Sequence, residues 1–165
     1  MDEILREKDI ENLVREYVDK GLLMQITTSN SGQPWIAHVW FSFDEKLRFY
    51  FISNRARRHS KEIRVSPRVA CGIVHPHFEG LGQKVRGLVF EGLAQEIGEA
   101  SIDLDQAYSC YSSRWPNASS YIKKEDIIRD LTPVRFYRIA PTLFVLFDEV
   151  NFPDNPRQEL PWTTE

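Results

Sequence analysis

The chain has 165 residues, of which 42% are hydrophobic and 27% charged, and this composition is typical of one globular domain. It excludes disordered, collagen-like and coiled-coil proteins. No stretch approaches the roughly 18 consecutive apolar residues of a membrane-spanning helix, and the charged N-terminus does not resemble a signal peptide. Cys71 and Cys110 lie far apart and outside any metal-ligand spacing. We therefore expect a cytoplasmic protein with reduced cysteines and no membrane partner.

The net charge of −3 is unevenly distributed along the chain. Residues 55–68 contain six basic residues and one acid, Glu62, which gives this basic segment a local charge of +5. Nucleic-acid binding requires many cations spread over a face, so one compact basic segment in an acidic protein argues against it. The same segment is suited to binding one small anion, and we expect a small-molecule partner.

The first 98 residues predict one helix followed by strands. Apolar residues at helical spacing predict a helix over residues 4–20, which ends at Gly21. Gly87 and Gly92 predict a bend or bulge late in this region. Alternating apolar residues predict five strands, at residues 22–27, 35–43, 47–53, 69–74 and 85–97. A loop and a short helix are predicted over residues 54–65, between the third and fourth strands.

The remaining residues predict a helical insertion and the end of the sheet. Helices are expected within residues 101–131, strands at 134–139 and 143–152, and an irregular tail at 153–165. Most connections have the length of a hairpin, which argues against a parallel Rossmann sheet. We therefore predict a single domain over residues 1–165, mainly β with a few helices. Its core is a six- to seven-stranded antiparallel split β-barrel, formed by residues 22–98 and 134–152.

The most informative motif lies where the third strand ends. Ser53 and Asn54 are followed by the basic segment and by the start of a short helix. Hydroxyl, guanidinium and imidazole donors would converge there with the N–H groups of the helix N-terminus, which is the chemistry of a phosphate site. The alternative is a solvated basic helix face that forms only surface ion pairs.

These residues resemble a known phosphate loop. The pyridoxamine 5′-phosphate oxidase-like, FMN-binding split-barrel superfamily carries Thr-Asn, then Ser-Arg-Lys, a hydrophobic residue and Asn-Pro. Without a gap, Ser53-Asn54 matches Thr-Asn, Arg58 and His59 match Arg-Lys, and Ser66-Pro67 matches Asn-Pro. Residues 84–92 are similar to the family's Arg-Gln-Val-Arg-x-x-Gly strand, and residues 148–155 resemble its uncharacterised YhbP-like branch.

The resemblance implies a homodimer that binds FMN between its subunits. Val39 and Trp40 would lie along the flavin ring, and Arg86 and Gly87 of the partner subunit would complete the site. The phosphate would be held by residues of the loop and the short helix, namely Ser53, Asn54, Arg57, Arg58, His59 and Lys61. The implied activity is that of a flavin-dependent oxidoreductase acting on an unknown small molecule.

Three positions differ from the oxidase pattern. Ala37 occupies the position of a family arginine, Ser42 that of a lysine and Gly87 that of a glutamine. We therefore expect a substrate other than pyridoxamine phosphate. Two alternatives stay open: a non-catalytic binding protein that has lost flavin, and a relative that binds haem or a deazaflavin, with His38 or His75 as an axial ligand.

No catalytic residue or metal site is assigned from the sequence. Hydrolase motifs are absent, and His75 and His77 are expected in a surface loop because no partner at metal-ligand spacing accompanies them. Adjacent strands carry aromatic residues on both faces, which favours a dimer because one core does not easily cover both. The substrate cleft is expected to be lined by aromatic side chains, namely Trp40, Tyr50, Phe78 and Trp115.

Overall fold

The structure, a computed structural model, describes residues 3–74, 80–98 and 101–164, with side chains from residue 7 onward. It begins with helix α1 (Glu3–Lys20), whose apolar stripe is buried against the sheet, with Val14 and Val18 fully covered. The helix ends where the Gly21 N–H donates to the Tyr17 carbonyl at 3.0 Å.

Seven antiparallel strands form the body of the described structure. Their order in the sheet is β3-β2-β1-β4-β5-β6-β7, and β3 also pairs with β6, so that six strands close into a ring. This confirms the prediction of an antiparallel split barrel. The strands are β1 (Leu23–Asn30), β2 (Gln33–Phe43), β3 (Phe49–Asn54), β4 (Arg68–Val74), β5 (Arg86–Glu96), β6 (Val134–Asp148) and β7 (Arg157–Pro161).

The C-terminal part differs from the sequence-based expectation. Residues 134–148 form one continuous strand instead of two, because one edge of β6 pairs first with β3 and then with β7. Pro141, which cannot donate a ladder hydrogen bond, lies where this partner changes. The predicted bulge is at Gly92, where the register of β5 against β6 shifts. The tail, expected to be irregular, contains β7.

The helical insertion covers the outside of the ring. Helix α2 (Arg58–Val65) follows β3, while α3 (Ile102–Arg114), a 3₁₀ turn (Ala118–Ser120) and α4 (Lys124–Ile128) follow β5. The insertion forms a second apolar cluster with the outer faces of β3 and β6, which include Tyr50 and Phe136. A dimer was expected partly because one core does not easily cover both aromatic faces of the strands. The insertion covers one of these faces within a single chain, so only the other face still supports that expectation. Trp35 and Trp40 remain 44% and 52% exposed.

Candidate functional site

An Asx turn leads the chain from β3 into α2. The Asn54 side-chain oxygen accepts from the Ala56 N–H at 2.8 Å, and the Asn54 carbonyl accepts from the Arg57 N–H at 3.0 Å. The first i to i−4 bond of α2 runs from the Lys61 N–H to the Arg57 carbonyl at 3.0 Å. The N–H groups of residues 58–60 therefore precede the helical ladder, as is typical of a helix N-terminus.

His59 is a buried, neutral member of this site. Its Nε2 lies 2.7 Å from the Ser53 hydroxyl, which also accepts from the Ser60 hydroxyl at 3.2 Å. Burial lowers the pKa of His59, and the nearby charge of Arg57 lowers it further. At neutral pH the imidazole therefore acts as a hydrogen-bonding group and carries no charge.

Arg58 is held between an acid and an aromatic ring. Its Nε donates to a carboxylate oxygen of Glu62 at 2.7 Å, and its guanidinium carbon lies 4.6 Å from the centre of the Trp35 ring. The other Glu62 oxygen accepts from the Thr28 hydroxyl at 2.5 Å. These hydrogen bonds from Thr28 and Arg58 lower the pKa of Glu62, so the acid is ionised beside the basic loop.

Much of the basic segment is paired within the fold. Arg55 and Arg64 contact the two carboxylate oxygens of Glu96 at 3.0 and 2.6 Å. Glu96 lies at the end of β5, and its Oε2 also accepts from the Tyr137 hydroxyl at 3.0 Å. In the described parts of the chain no ion pair of Arg57 is found. The positive charge facing a ligand is therefore smaller than the local sequence suggests.

A cavity of about 1050 Å³ opens beside this loop. The end at the loop and the start of α2 carries the polar and cationic side chains, with Trp35 over Arg58, and the end at Trp40 and Trp115 is aromatic. At the aromatic end, Trp40 of β2 meets Trp115 edge to face, with ring centres 5.1 Å apart. The Trp115 indole N–H donates to the Phe41 carbonyl at 3.0 Å, which fixes the ring. The lining residues are Trp35, Ile36, Ala37, His38, Val39, Trp40, Ile52, Ser53, Asn54, Arg57, Arg58, His59, Tyr111, Trp115, Asn117, Ala118 and Tyr121.

Most of the residues predicted for the site line this one cavity. Three do not: Lys61 is exposed on α2, while Arg86 and Gly87 lie on β5 opposite Asp148 and Phe147. The latter pair was assigned to the partner subunit, so its role stays a prediction. The residues that the structure brings together are Val39, Trp40, Ser53, Asn54, Arg57, Arg58 and His59.

The expected aromatic lining is only partly found. Trp40 and Trp115 line the cavity, but Tyr50 is buried under the helical insertion and its hydroxyl donates to Asp44 at 2.9 Å. Phe78 lies outside the described residues. Sequence reasoning missed three ring-bearing residues of the lining. Tyr111 and Tyr121 were missed because the predicted helical insertion carried no signal of where it packs, and Trp35 because its contact with Arg58 joins β2 to α2.

The positions that differ from the oxidase pattern lie in different surroundings. Ala37 lines the cavity, as does its neighbour His38, whereas Ser42 is fully buried away from it and Gly87 lies on β5 outside the lining. The Ser42 hydroxyl has no hydrogen-bond partner among the described residues. His75 and His77 lie outside the described residues.

The described ranges contain neither a metal centre nor a membrane-spanning helix. No group of three or more histidine, cysteine, aspartate or glutamate side chains there is arranged to hold a metal ion. In the same residues, no helix has both the length and the apolar character needed to cross a bilayer.

Comparison with solved structures supports the fold. A putative pyridoxamine 5′-phosphate oxidase from Listeria innocua matches with a TM-score of 0.60 and 20% identity, covering 83% of this chain and 97% of that one. HutZ, the heme storage protein from Vibrio cholerae, matches with 0.65 and 17%, covering 79% and 89%. A FAD-binding protein from Mesorhizobium loti matches with 0.61 and 16%, covering 81% and 89%. At these identities the likeness shows a shared fold.

Sequence comparison identifies the family. Among proteins with curated descriptions, no significant match to this sequence is found. The family model described as pyridoxamine 5′-phosphate oxidase matches residues 10–144, which include the first six strands except the end of β6, the phosphate-loop motif and the helical insertion. The chain belongs to the pyridoxamine 5′-phosphate oxidase family.

Proposed function

We propose that the chain binds FMN in the cavity between β2, α2 and α3 and uses it for a redox reaction on a small molecule. The observation that carries the proposal is the division of one cavity into a polar, cationic end and an aromatic end. FMN has the matching division, with a phosphate monoester at one end and a planar ring system at the other. A volume of about 1050 Å³ is at the upper end of the range for small-molecule sites.

The phosphate is assigned to the start of α2. The side chains of Ser53, Arg57 and Arg58 supply hydroxyl and guanidinium donors there, together with the first N–H groups of the helix. His59 is neutral without a ligand. A bound phosphate should raise the pKa of His59, because an adjacent anion favours the imidazolium form. FMN binding should therefore be accompanied by proton uptake near neutral pH.

The ring is assigned to the aromatic end. Val39 and Trp40 present the edge of β2, and Trp115, directly after α3, contacts the Trp40 ring edge to face. Bound flavin supplies hydride and electron transfer, while the protein supplies position, electrostatics and access. No side chain is assigned as an acid or base. Ala37, Ser42 and Gly87 replace the polar residues of the oxidase pattern, and we assign a substrate other than pyridoxamine phosphate.

A homodimer is part of the proposal. One row of paired residues crosses the outside of five neighbouring strands, from β2 to β6. The strand registers place these residues side by side in the order Trp40, Leu23, Val74, Gly87 and Phe147. The four large side chains of this outer row are 38–55% exposed, which is unusual for a contiguous apolar row. A second copy packed on this row by two-fold symmetry would bring its own β5 towards Trp40. The row therefore supports the assignment of Arg86 and Gly87 of the partner subunit to the site.

An absorption spectrum and two titrations test this proposal. The purified protein, or the protein mixed with FMN, should show the visible absorption of bound flavin and quench its fluorescence. FMN should bind more tightly than riboflavin, which has the same ring system but no phosphate. Equal affinities would contradict the phosphate assignment, and no binding of either would contradict the flavin proposal.

A second candidate is haem binding, and the position of His38 favours it. His38 is an exposed imidazole on β2 that lines the cavity, and neutral imidazole is a common axial ligand of haem iron. Titration with haemin should then give the sharp Soret band of ligated haem, and His38→Ala should abolish it while leaving FMN binding intact. A protein that shows neither spectrum would be a binding protein without flavin or haem.

A further inference from the structure

We infer that Thr28 and Glu62 are positioning residues for the phosphate, acting through Arg58, and this inference rests on the proposed binding of FMN. The family motif matched to the loop contains Arg58 but not Thr28, which lies 30 residues earlier. Thr28 and Trp35 are opposite each other on β1 and β2. Arg58 and Glu62 are four residues apart on α2, so both lie on one face of the helix. The four side chains form a unit in which each contacts the next.

The contacts of this unit leave one part of Arg58 for a ligand. Glu62 occupies Nε of the guanidinium, and the Trp35 ring covers one of its faces. Among the described residues, no acceptor for the N–H groups of Nη1 or Nη2 is found. These two groups are the ones that an arginine uses, side by side or with Nε, to contact two oxygens of a phosphate. Because Arg58 lines the cavity, the remaining donors belong to the site.

Glu62 can direct Arg58 only if it is itself fixed. Its side chain is 6% exposed, and its second oxygen is bound by Thr28, which is 1% exposed. The arginine side chain is 44% exposed and would otherwise sample many rotamers. Holding it in one geometry before the ligand arrives reduces the entropy lost on binding. Thr28 therefore contributes to phosphate affinity without contacting the phosphate.

Variants that keep the charge separate positioning from electrostatics. Removing Glu62 altogether would also remove a negative charge beside the phosphate, and the two effects oppose each other. Thr28→Val removes the hydroxyl but keeps its shape, and Glu62→Asp keeps the charge but shortens the side chain. Thr27→Val is the matched control, because Thr27 precedes Thr28 on β1 and its side chain lies on the other face of the strand.

FMN and riboflavin titrations of the full chain test the inference. Thr28→Val and Glu62→Asp should each weaken FMN binding about fivefold, the equivalent of one hydrogen bond. Riboflavin affinity and Thr27→Val should stay within about twofold of wild type, which is the scale of changes remote from a contact. In an Arg58→Ala background, Thr28→Val should have no further effect on FMN, because the residue acts only through Arg58.

The outcomes distinguish this inference from the proposed function. If wild type does not bind FMN, the proposed function fails. If wild type binds FMN and Arg58→Ala weakens it, but Thr28→Val and Glu62→Asp match wild type or bind more tightly, only the positioning role is overturned. Equal weakening of FMN and riboflavin would also overturn it, because that pattern indicates a general loss of structure. Circular dichroism and thermal melting of each variant show that the folded protein is compared.

Discussion

Replacement of Arg58 by alanine should weaken FMN binding about tenfold. A charge-assisted hydrogen bond contributes about 1.5–3 kcal/mol, and we take the lower end because the side chain is 44% exposed and partly screened by water. An energy of about 1.5 kcal/mol corresponds to roughly a tenfold change in dissociation constant. The change also leaves the buried Glu62 carboxylate without its arginine and close to the phosphate, which acts in the same direction.

The assay is fluorescence titration of FMN at one ionic strength, with Lys61→Ala as the matched control. Lys61 lies on the same helix, carries the same charge and is exposed outside the cavity lining. We expect Lys61→Ala to change affinity by less than about twofold, as for an exposed charge. If Arg58→Ala binds FMN as tightly as wild type, Arg58 does not contact the phosphate. If Arg58→Ala and Lys61→Ala weaken FMN binding equally, the effect of Arg58 comes from its positive charge in general and not from a specific contact.

Three further predictions concern the fold and its assembly. A Cβ on Gly92 would lie 2.6 Å from the Ala140 carbonyl oxygen, so Gly92→Ala should lower the free energy of unfolding by about 1–3 kcal/mol in urea denaturation. Gly72→Ala, whose nearest contact would be 3.6 Å, is the control and should change it much less. The lowered pKa of His59 adds stability that is complete above its unfolded pKa of about 6.5 and is lost as pH falls through the folded value. The melting temperature of wild type should therefore fall more between pH 7.5 and pH 5 than that of His59→Gln, and parallel curves would contradict a buried neutral imidazole. Val89 is 53% exposed beside the outer row, so Val89→Glu should reduce the mass found by light scattering from that of a dimer to 19.3 kDa. A wild-type mass of 19.3 kDa would contradict the dimer.

The sequence predicted the parts of the fold that are set by local pattern. The apolar stripe of α1 and the alternation in β2 depend on neighbouring residues only, and both elements were found close to their expected ends. The loop after Ser53 was predictable for the same reason, because strand end, Asx turn and helix start follow within a few residues. These features carry their signal in consecutive positions.

The parts that were missed depend on contacts between distant residues. Whether residues 134–148 form one strand or two is decided by β3 and β7, which share an edge of β6. The second apolar cluster depends on the helical insertion packing on Tyr50, which no local spacing indicates. Tyr111 and Tyr121 enter the cavity through the same packing. A single sequence holds no direct record of such pairs.

The basic segment shows how tertiary contacts change the meaning of a charge pattern. Its sequence suggests attraction of an anion by six cations, but Arg55 and Arg64 share the single negative charge of Glu96, and Arg58 is paired with Glu62. His59 adds no charge at neutral pH. The start of α2 therefore offers hydrogen-bond donors with defined directions, and its positive potential is lower than the sequence suggests. In the proposed function, selectivity for a phosphate depends on where these donors point. We infer that for Arg58 this direction is set by Trp35 and Glu62, with Thr28 holding Glu62 in place. None of these three residues occupies a position of the recognised motif.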